Sequence, residues 1–202
     1  MKTLGVGIVL MVALFFCLPY HLYMKQLWKK NPEKSWEKAR KFVSGFFRFE
    51  LKLSGCKVNV IGKENIPQDG PVLFVGNHRS YFDILIYHEA IGKPLGFLAK
   101  KEMEKIPLLP LYMRDIGCLF LDREDIKQGL SVIKQGTEYM KQGHSMVVFP
   151  EGTRNQTDTL LPFREGGYKM AEKSKSPIVP VSICRSDLML ESAPKKRIHS
   201  HS

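Results

Sequence analysis

The sequence predicts an α/β domain built on a mainly parallel or mixed sheet flanked by helices, preceded by an N-terminal membrane helix and an amphipathic helix. Three observations carry this. From Cys56 onward, short β-rich apolar runs alternate with longer segments of helical polar–apolar pattern. An uncharged apolar run, Leu4–Tyr20, stands at the amino end. Between the two lies a segment in which aromatic and basic residues interleave. The expected boundaries are 1–30 for the anchor, 31–55 for the amphipathic helix, 56–185 for the α/β domain and 186–202 for a polar tail.

The apolar run is seventeen residues long, enough for a helix to span a bilayer core. A cleavable signal would need small residues where it ends. Those present, Phe15, Phe16, Cys17, Leu18, Pro19 and Tyr20, are mostly bulky, so an uncleaved anchor is expected. A lipoprotein site at Cys17 is opposed by the size of Phe16. Lys25, Lys29 and Lys30 follow the run and only Lys2 precedes it, so the chain is expected on the cell membrane with its remainder on the cytoplasmic side. Tyr20, Tyr23 and Trp28 fall at the expected interface.

Asn31-Pro32-Glu33 has the form of a helix start, with Asn as N-cap and Pro in the first turn. The helix is expected over Pro32–Leu53. Trp36, Phe42, Val43, Phe46, Phe47 and Phe49 alternate there with Lys34, Lys38, Arg40, Lys41, Arg48 and Lys52. This composition suits a helix in the headgroup layer. It equally suits a helix packing its aromatics on the following domain, and both can hold on different faces.

In the body, strands are expected at Val58–Ile61, Val72–Val75, Leu95–Ala99, Cys118–Leu121, Met146–Phe149 and Ile178–Ile183. Helices are expected at Asp83–Ile91, Lys101–Met113, Glu124–Gln142 and Glu165–Ser174. Gly62, Asp69-Gly70, Gly92, Gly117 and Gly143 punctuate the joins. An alternating order of this kind places ligands at the carboxyl ends of strands.

The length of 202 residues fits one ordinary domain plus an appendage. Of 31 Lys+Arg and 20 Asp+Glu, residues 1–60 hold 11 basic and 3 acidic, whereas residues 61–189 hold 17 and 16. The basic excess is thus confined to the amino end. That argues for a membrane surface and against a nucleic-acid partner, whose binder would spread basic residues over the folded face. The four cysteines, Cys17, Cys56, Cys118 and Cys184, form no C-x-x-C pair, which speaks against a zinc site or a disulfide framework. His88 and His144 read as core, surface or turn residues.

Four blocks carry polar residues at strand ends. In Gly76-Asn77-His78-Arg79-Ser80-Tyr81-Phe82-Asp83, the His and Asp lie five apart and would not share a face of one continuous helix. They meet only if His78 sits on the turn and Asp83 inside the next helix. A carboxylate on one imidazole nitrogen would then fix the tautomer and leave the other free to take a proton from a substrate hydroxyl. The other blocks are Lys100-Lys101-Glu102, the strand Gly117–Leu121 ending in Asp122-Arg123, and Phe149-Pro150-Glu151-Gly152-Thr153-Arg154. Together they bring Lys101, Arg123 and Arg154 to strand ends, and converging cations of that kind are the expected receptor for a phosphate.

In order and spacing, His78-x4-Asp83, Gly117–Arg123, Phe149–Arg154 and Ile178-Val179-Pro180-Val181 resemble the blocks of the glycerolipid acyltransferases, and most of all the 1-acylglycerol-3-phosphate (lysophosphatidate) acyltransferases. Leu161-Pro162-Phe163-Arg164-Glu165-Gly166-Gly167 also looks like the segment that follows the third block in that family. The resemblance implies that His78 is the general base on the sn-2 hydroxyl of lysophosphatidate and that Asp83 orients it. It implies a donor thioester, acyl-CoA or acyl-acyl-carrier protein, as co-substrate, with no cofactor and no metal. It implies that Arg123, Glu151, Gly152, Thr153 and Arg154 help hold the glycerol phosphate, with Lys101 a further candidate. An ionised Glu151 would orient an arginine or bind a hydroxyl rather than touch phosphate. The chain carries no G-x-S-x-G elbow for an acyl-enzyme.

Two departures stand out. Asn155 occupies a position where many members have Ser, and it is expected to hydrogen-bond locally in the turn. The chain leaves the family pattern near Arg185, which predicts an open sheet edge. The competing readings are the same chemistry on another acceptor, glycerol-3-phosphate or another lysophospholipid, and an inactive truncated membrane-binding homologue.

Overall fold

A computed structural model describes residues 12, 14–157 and 159–191. Most of the expected anchor, Leu4–Tyr20, and the tail from residue 192 onward lie outside them. Among the described residues no helix is long and apolar enough to cross a membrane.

Asn31 joins the first two helices, α1 (Leu18–Lys30) and α2 (Pro32–Leu53). Its backbone N–H donates to the Leu27 carbonyl at 2.8 Å, closing α1. Its side-chain oxygen accepts from Lys34 N at 2.9 Å, opening α2 as the expected N-cap. The resulting hairpin buries one face on the body through Met24, Trp36, Ala39, Ser44 and Leu51. Trp36 stacks on His144, with centroids 4.1 Å apart, and packs edge-on against Tyr139 and Trp28. His21 of α1 pairs with Asp115 at 2.7 Å. A second stripe of α2, Phe42, Phe46, Phe49 and Leu53, is spaced by helical turns, and all but Phe46 are exposed. One face thus packs on the following domain, as the composition allows, and the other is left exposed.

The body is a five-stranded, all-parallel sheet in the order β3-β2-β4-β1-β5. The strands are β1 (Leu73–Gly76), β2 (Leu95–Lys100), β3 (Leu119–Leu121), β4 (Ser145–Val148) and β5 (Ile178–Val181). Strands covered on both faces read as continuous apolar runs, as in Leu73-Phe74-Val75 and Met146-Val147-Val148. The helices between them are α3 (Phe82–Ile91), α4 (Leu109–Asp115), α5 (Ile126–Lys141) and α6 (Tyr168–Ser174). One core layer, with Phe74, Tyr87, Leu95, Phe97 and Val147, faces α3 and the hairpin; the other, with Leu73, Ile133, Met140, Met146 and Met170, faces α5 and α6.

Several expected elements are corrected. Val58–Ile61 is not a strand: no neighbour offers it a ladder, and Ile61 is exposed. Lys101–Met113 is not one helix. Pro107 and Pro110 break it into a 3₁₀ turn, Lys101–Lys105, and α4. Gly166-Gly167 confine the start of Glu165–Ser174 to a 3₁₀ turn. The last strand ends at Val181 because the Ile183 N–H and carbonyl both turn to the Asn77 side chain, at 2.8 Å each. β5 is an edge strand with Ile178 exposed, and Pro180, which has no N–H to offer, lies on it.

Candidate active site

All four polar blocks leave the carboxyl ends of adjacent strands β3, β2, β4 and β1, so the parallel topology gathers them along one rim of the sheet. At the end of β1, Gly76 admits a close approach. A Cβ there would lie 2.1 Å from the Tyr87 hydroxyl and 2.5 Å from the Val181 carbonyl. The chain then turns through Asn77, which is pinned to Ile183, and presents His78.

His78 Nδ1 lies 2.7 Å from Asp83 Oδ2, with Asp83 in the first turn of α3 and fully buried. A carboxylate only accepts, so Nδ1 carries the proton and Nε2 holds the free lone pair. The same Oδ2 accepts from the Arg79 and Ser80 amides at 2.8 and 3.0 Å. The turn and the first turn of the helix are therefore one hydrogen-bonded unit. Asp83 Oδ1 is buried without a partner among the described residues. The imidazole lies flat on Phe149, with centroids 4.1 Å apart and planes 11° apart, and Nε2 has no protein hydrogen bond among the described residues.

Phe149 opens the next block. Gly152 N donates to Phe149 O at 2.9 Å, closing a tight turn, and Gly152 adopts φ +71°, a conformation suited to glycine. A Cβ on Gly152 would sit 3.1 Å from Arg164 Nε and 3.6 Å from Arg123 Cζ. Arg164 is tied to this turn by its own amide, which donates to Pro150 O at 2.8 Å. Burial, and then the positive charge of Arg164, lower the pKa of Arg123.

The remaining candidates are spoken for. Lys101 pairs with Asp122 at 2.9 Å, both solvent-accessible. Glu151 is buried, and Oε2 accepts from Asn155 Nδ2 at 2.6 Å and Leu161 N at 2.9 Å; its partners belong to its own loop and include no arginine. Asn155 makes the expected local bonds, accepting from Thr157 N at 2.9 Å. It also reaches across to the first block, its amide donating to His78 O at 2.8 Å. Arg154 pairs with Glu191 at 2.9 Å and lies 3.8 Å above the Tyr81 ring. Thr153 is exposed. No cluster of His, Cys, Asp or Glu suited to a metal occurs among the described residues. Arg164 lies in the Leu161–Gly167 segment and is not among the site residues that the sequence predicts. The signal that could have found it is a glycine turn rich in charge facing a second arginine-bearing loop.

A parallel α/β sheet thus carries a His–Asp pair at the end of β1 and, beside the Gly152 turn, two arginines from different loops. The chain belongs to the Acyltransferase family, which it matches over residues 57–184. It is 37% identical over 172 residues to the probable 1-acyl-sn-glycerol-3-phosphate acyltransferase of Mycoplasma pneumoniae, covering 83% of this chain and 62% of the relative. It is 34% identical over 136 residues to the 1-acyl-sn-glycerol-3-phosphate acyltransferase of Borreliella burgdorferi, covering 67% and 54%. The crystal structure of the 1-acyl-sn-glycerophosphate (LPA) acyltransferase PlsC from Thermotoga maritima is similar with a TM-score of 0.70 and 26% identity, over 95% of this chain and 80% of that one. The chain thus spans between about half and two thirds of the length of these two curated relatives.

Proposed function

We propose that the protein transfers a fatty acyl group from a thioester donor to the sn-2 hydroxyl of 1-acylglycerol-3-phosphate, giving phosphatidate. The observation that carries this reading is the His78–Asp83 pair, whose Nε2 is left open at the carboxyl end of β1. Nε2 takes the hydroxyl proton as the acceptor oxygen attacks the thioester carbonyl. Asp83 supports the imidazolium that forms. The C–S bond breaks, and the departing thiolate recovers the proton from His78, which restores the enzyme without an acyl intermediate. The relatives' names favour lysophosphatidate as acceptor, and Arg123 at the β3 end suits its phosphate. Acyl-CoA and acyl-acyl-carrier protein both supply the required thioester. The exposed Phe15, Phe16 and Leu22 beside Lys25, Lys29 and Lys30 support action at the cytoplasmic face of a bilayer, where acceptor and product reside.

The test is acyl transfer from each donor to lysophosphatidate by the full chain in detergent or membranes, beside His78→Ala. Phosphatidate formation that disappears in a folded His78→Ala variant is expected. Full activity in that variant would remove the general base. Transfer confined to a phosphate-free acceptor would remove the assigned substrate.

A further inference from the structure

We propose that Arg164, with Arg123, forms the two-guanidinium clamp that grips the acceptor's phosphate, while Arg154 serves as a brace for the His78 turn. The inference rests on the reading of the acceptor as a phosphate ester. Arg123 comes from the end of β3 and Arg164 from the loop before α6, yet both border the single point where a Gly152 side chain would be, at 3.6 and 3.1 Å. Neither makes an ion pair among the described residues, although five other arginines, Arg40, Arg48, Arg79, Arg114 and Arg154, each have a carboxylate. Two like charges held side by side, with Glu102 acting on Arg123 only from a distance, form a site suited to an anion. Gly152 supplies the open space and the backbone that a phosphate can approach.

The clamp is also in the right place. The turn that ends at Gly152 begins at Phe149, whose ring carries His78, and the ends of such a turn lie within about 7 Å. His78 and the two arginines therefore border the same turn, as a substrate that joins a hydroxyl to a phosphate through one glycerol requires. Arg154 has a different position. Glu191 Oε1 accepts from Arg154 Nη1 at 2.9 Å and from the Tyr81 amide at 3.0 Å, and the Arg154 guanidinium covers the Tyr81 ring. Its charge is neutralised and its fork is used within the turn that holds His78.

Two measurements on the full chain in detergent test the assignment: steady-state kinetics, and the thermal stabilisation produced by inorganic phosphate and by glycerol 3-phosphate. A lost hydrogen-bonded charge contact is worth about tenfold or more in binding. Arg164→Ala is therefore expected to raise the acceptor KM at least about tenfold while leaving the donor KM within about twofold, with Arg164→Lys in between. Phosphate stabilisation should vanish in Arg164→Ala and Arg123→Ala and persist in Arg154→Ala, whose defect should fall on kcat. Wild-type phosphate response and acceptor KM in Arg164→Ala would overturn the clamp. So would a wild-type protein that gains nothing from phosphate, or an Arg154→Ala variant that alone loses the response. Failure of lysophosphatidate as acceptor, with the phosphate response still lost in Arg164→Ala, would sink the acceptor and leave the clamp standing.

Discussion

Asp83 does its work through one oxygen. Oδ2 receives His78 Nδ1 and two backbone amides, whereas Oδ1 is buried without a partner among the described residues. Three donors on a full negative charge hold the imidazole in one tautomer and stabilise its protonated form. An amide could still accept at the Oδ2 position, but it would carry no charge and would bury an NH₂ where no acceptor waits. Asp83→Asn is accordingly expected to lower kcat by roughly 10³-fold or more while both KM values stay within a few-fold, a magnitude typical of losing the orienting carboxylate of a catalytic histidine. Steady-state kinetics on a variant with native circular dichroism would decide it; a KM defect with intact kcat would refute the orienting role. This pair was legible in the sequence because the two residues are close in the chain and a strand-to-helix turn is the one local geometry that joins them. The partners of Glu151 were less legible. Its carboxylate was expected to meet an arginine or a hydroxyl, and it meets Asn155 and the Leu161 amide, because a buried carboxylate in a tight loop takes the nearest donors. Arg164 was hidden for a related reason: its neighbour at Gly152 lies across a folded loop, and no periodicity reports such a contact.

The elements were legible where apolar runs or caps mark them. Asn31-Pro32 fixed the start of α2, and the continuous apolar runs placed four of the five strands to within a residue or two. Pattern failed where a neighbour decides, as at Val58–Ile61, or where prolines cut a helical pattern, as at Pro107 and Pro110. It left His88, on α3, as a surface or core residue and His144, before β4, as a turn residue; both are buried near the α2 seam. His88 sits against Phe47 and Phe97, and His144 lies under Trp36. Burial, then Arg40, pushes the pKa of His88 down to about 4; burial pushes that of His144 down to about 3, against 6.5 for an exposed imidazole. The facing groups that bear on this are Arg40 of α2 and His144 itself, and no carboxylate pairs with either ring among the described residues. As pH falls below 6.5 the unfolded chain takes up protons that the folded chain refuses, so stability declines from there through about pH 4 for His88 and about pH 3 for His144. His88→Met keeps similar bulk and removes one of the two groups. Urea midpoints followed downward from pH 6.5 should fall less steeply in this variant than in wild type. Equal slopes would show that His88 contributes nothing to acid sensitivity.

At the scale of the whole molecule, charge is segregated. Residues 1–60 carry 11 basic against 3 acidic side chains, while the body from 61 to 189 is nearly neutral. Within that basic end, the hairpin is fixed to the body by one apolar face and leaves other apolar side chains uncovered: Leu22 is 59% exposed and Phe49 62%. An exposed apolar stripe flanked by lysines is what an interfacial helix presents to anionic headgroups, with each basic residue near the surface contributing about 1 kcal/mol. The alternative, a membrane contact made solely by the residues before α1, would leave Phe49 in water. The two can be separated by placing a reporter on the stripe. Phe49→Trp keeps an aromatic at a position where tryptophan suits a headgroup boundary, and Trp28 and Trp36, which pack against each other and Tyr139, serve as the internal background. In vesicles of anionic lipid with brominated acyl chains, the new tryptophan should be quenched well beyond that background. Salt that weakens headgroup attraction should reduce the effect. Fluorescence of the variant unchanged by the brominated chains, in protein that cosediments with the vesicles, would mean that the chain is held at the membrane elsewhere and that the outer face of α2 does not touch it.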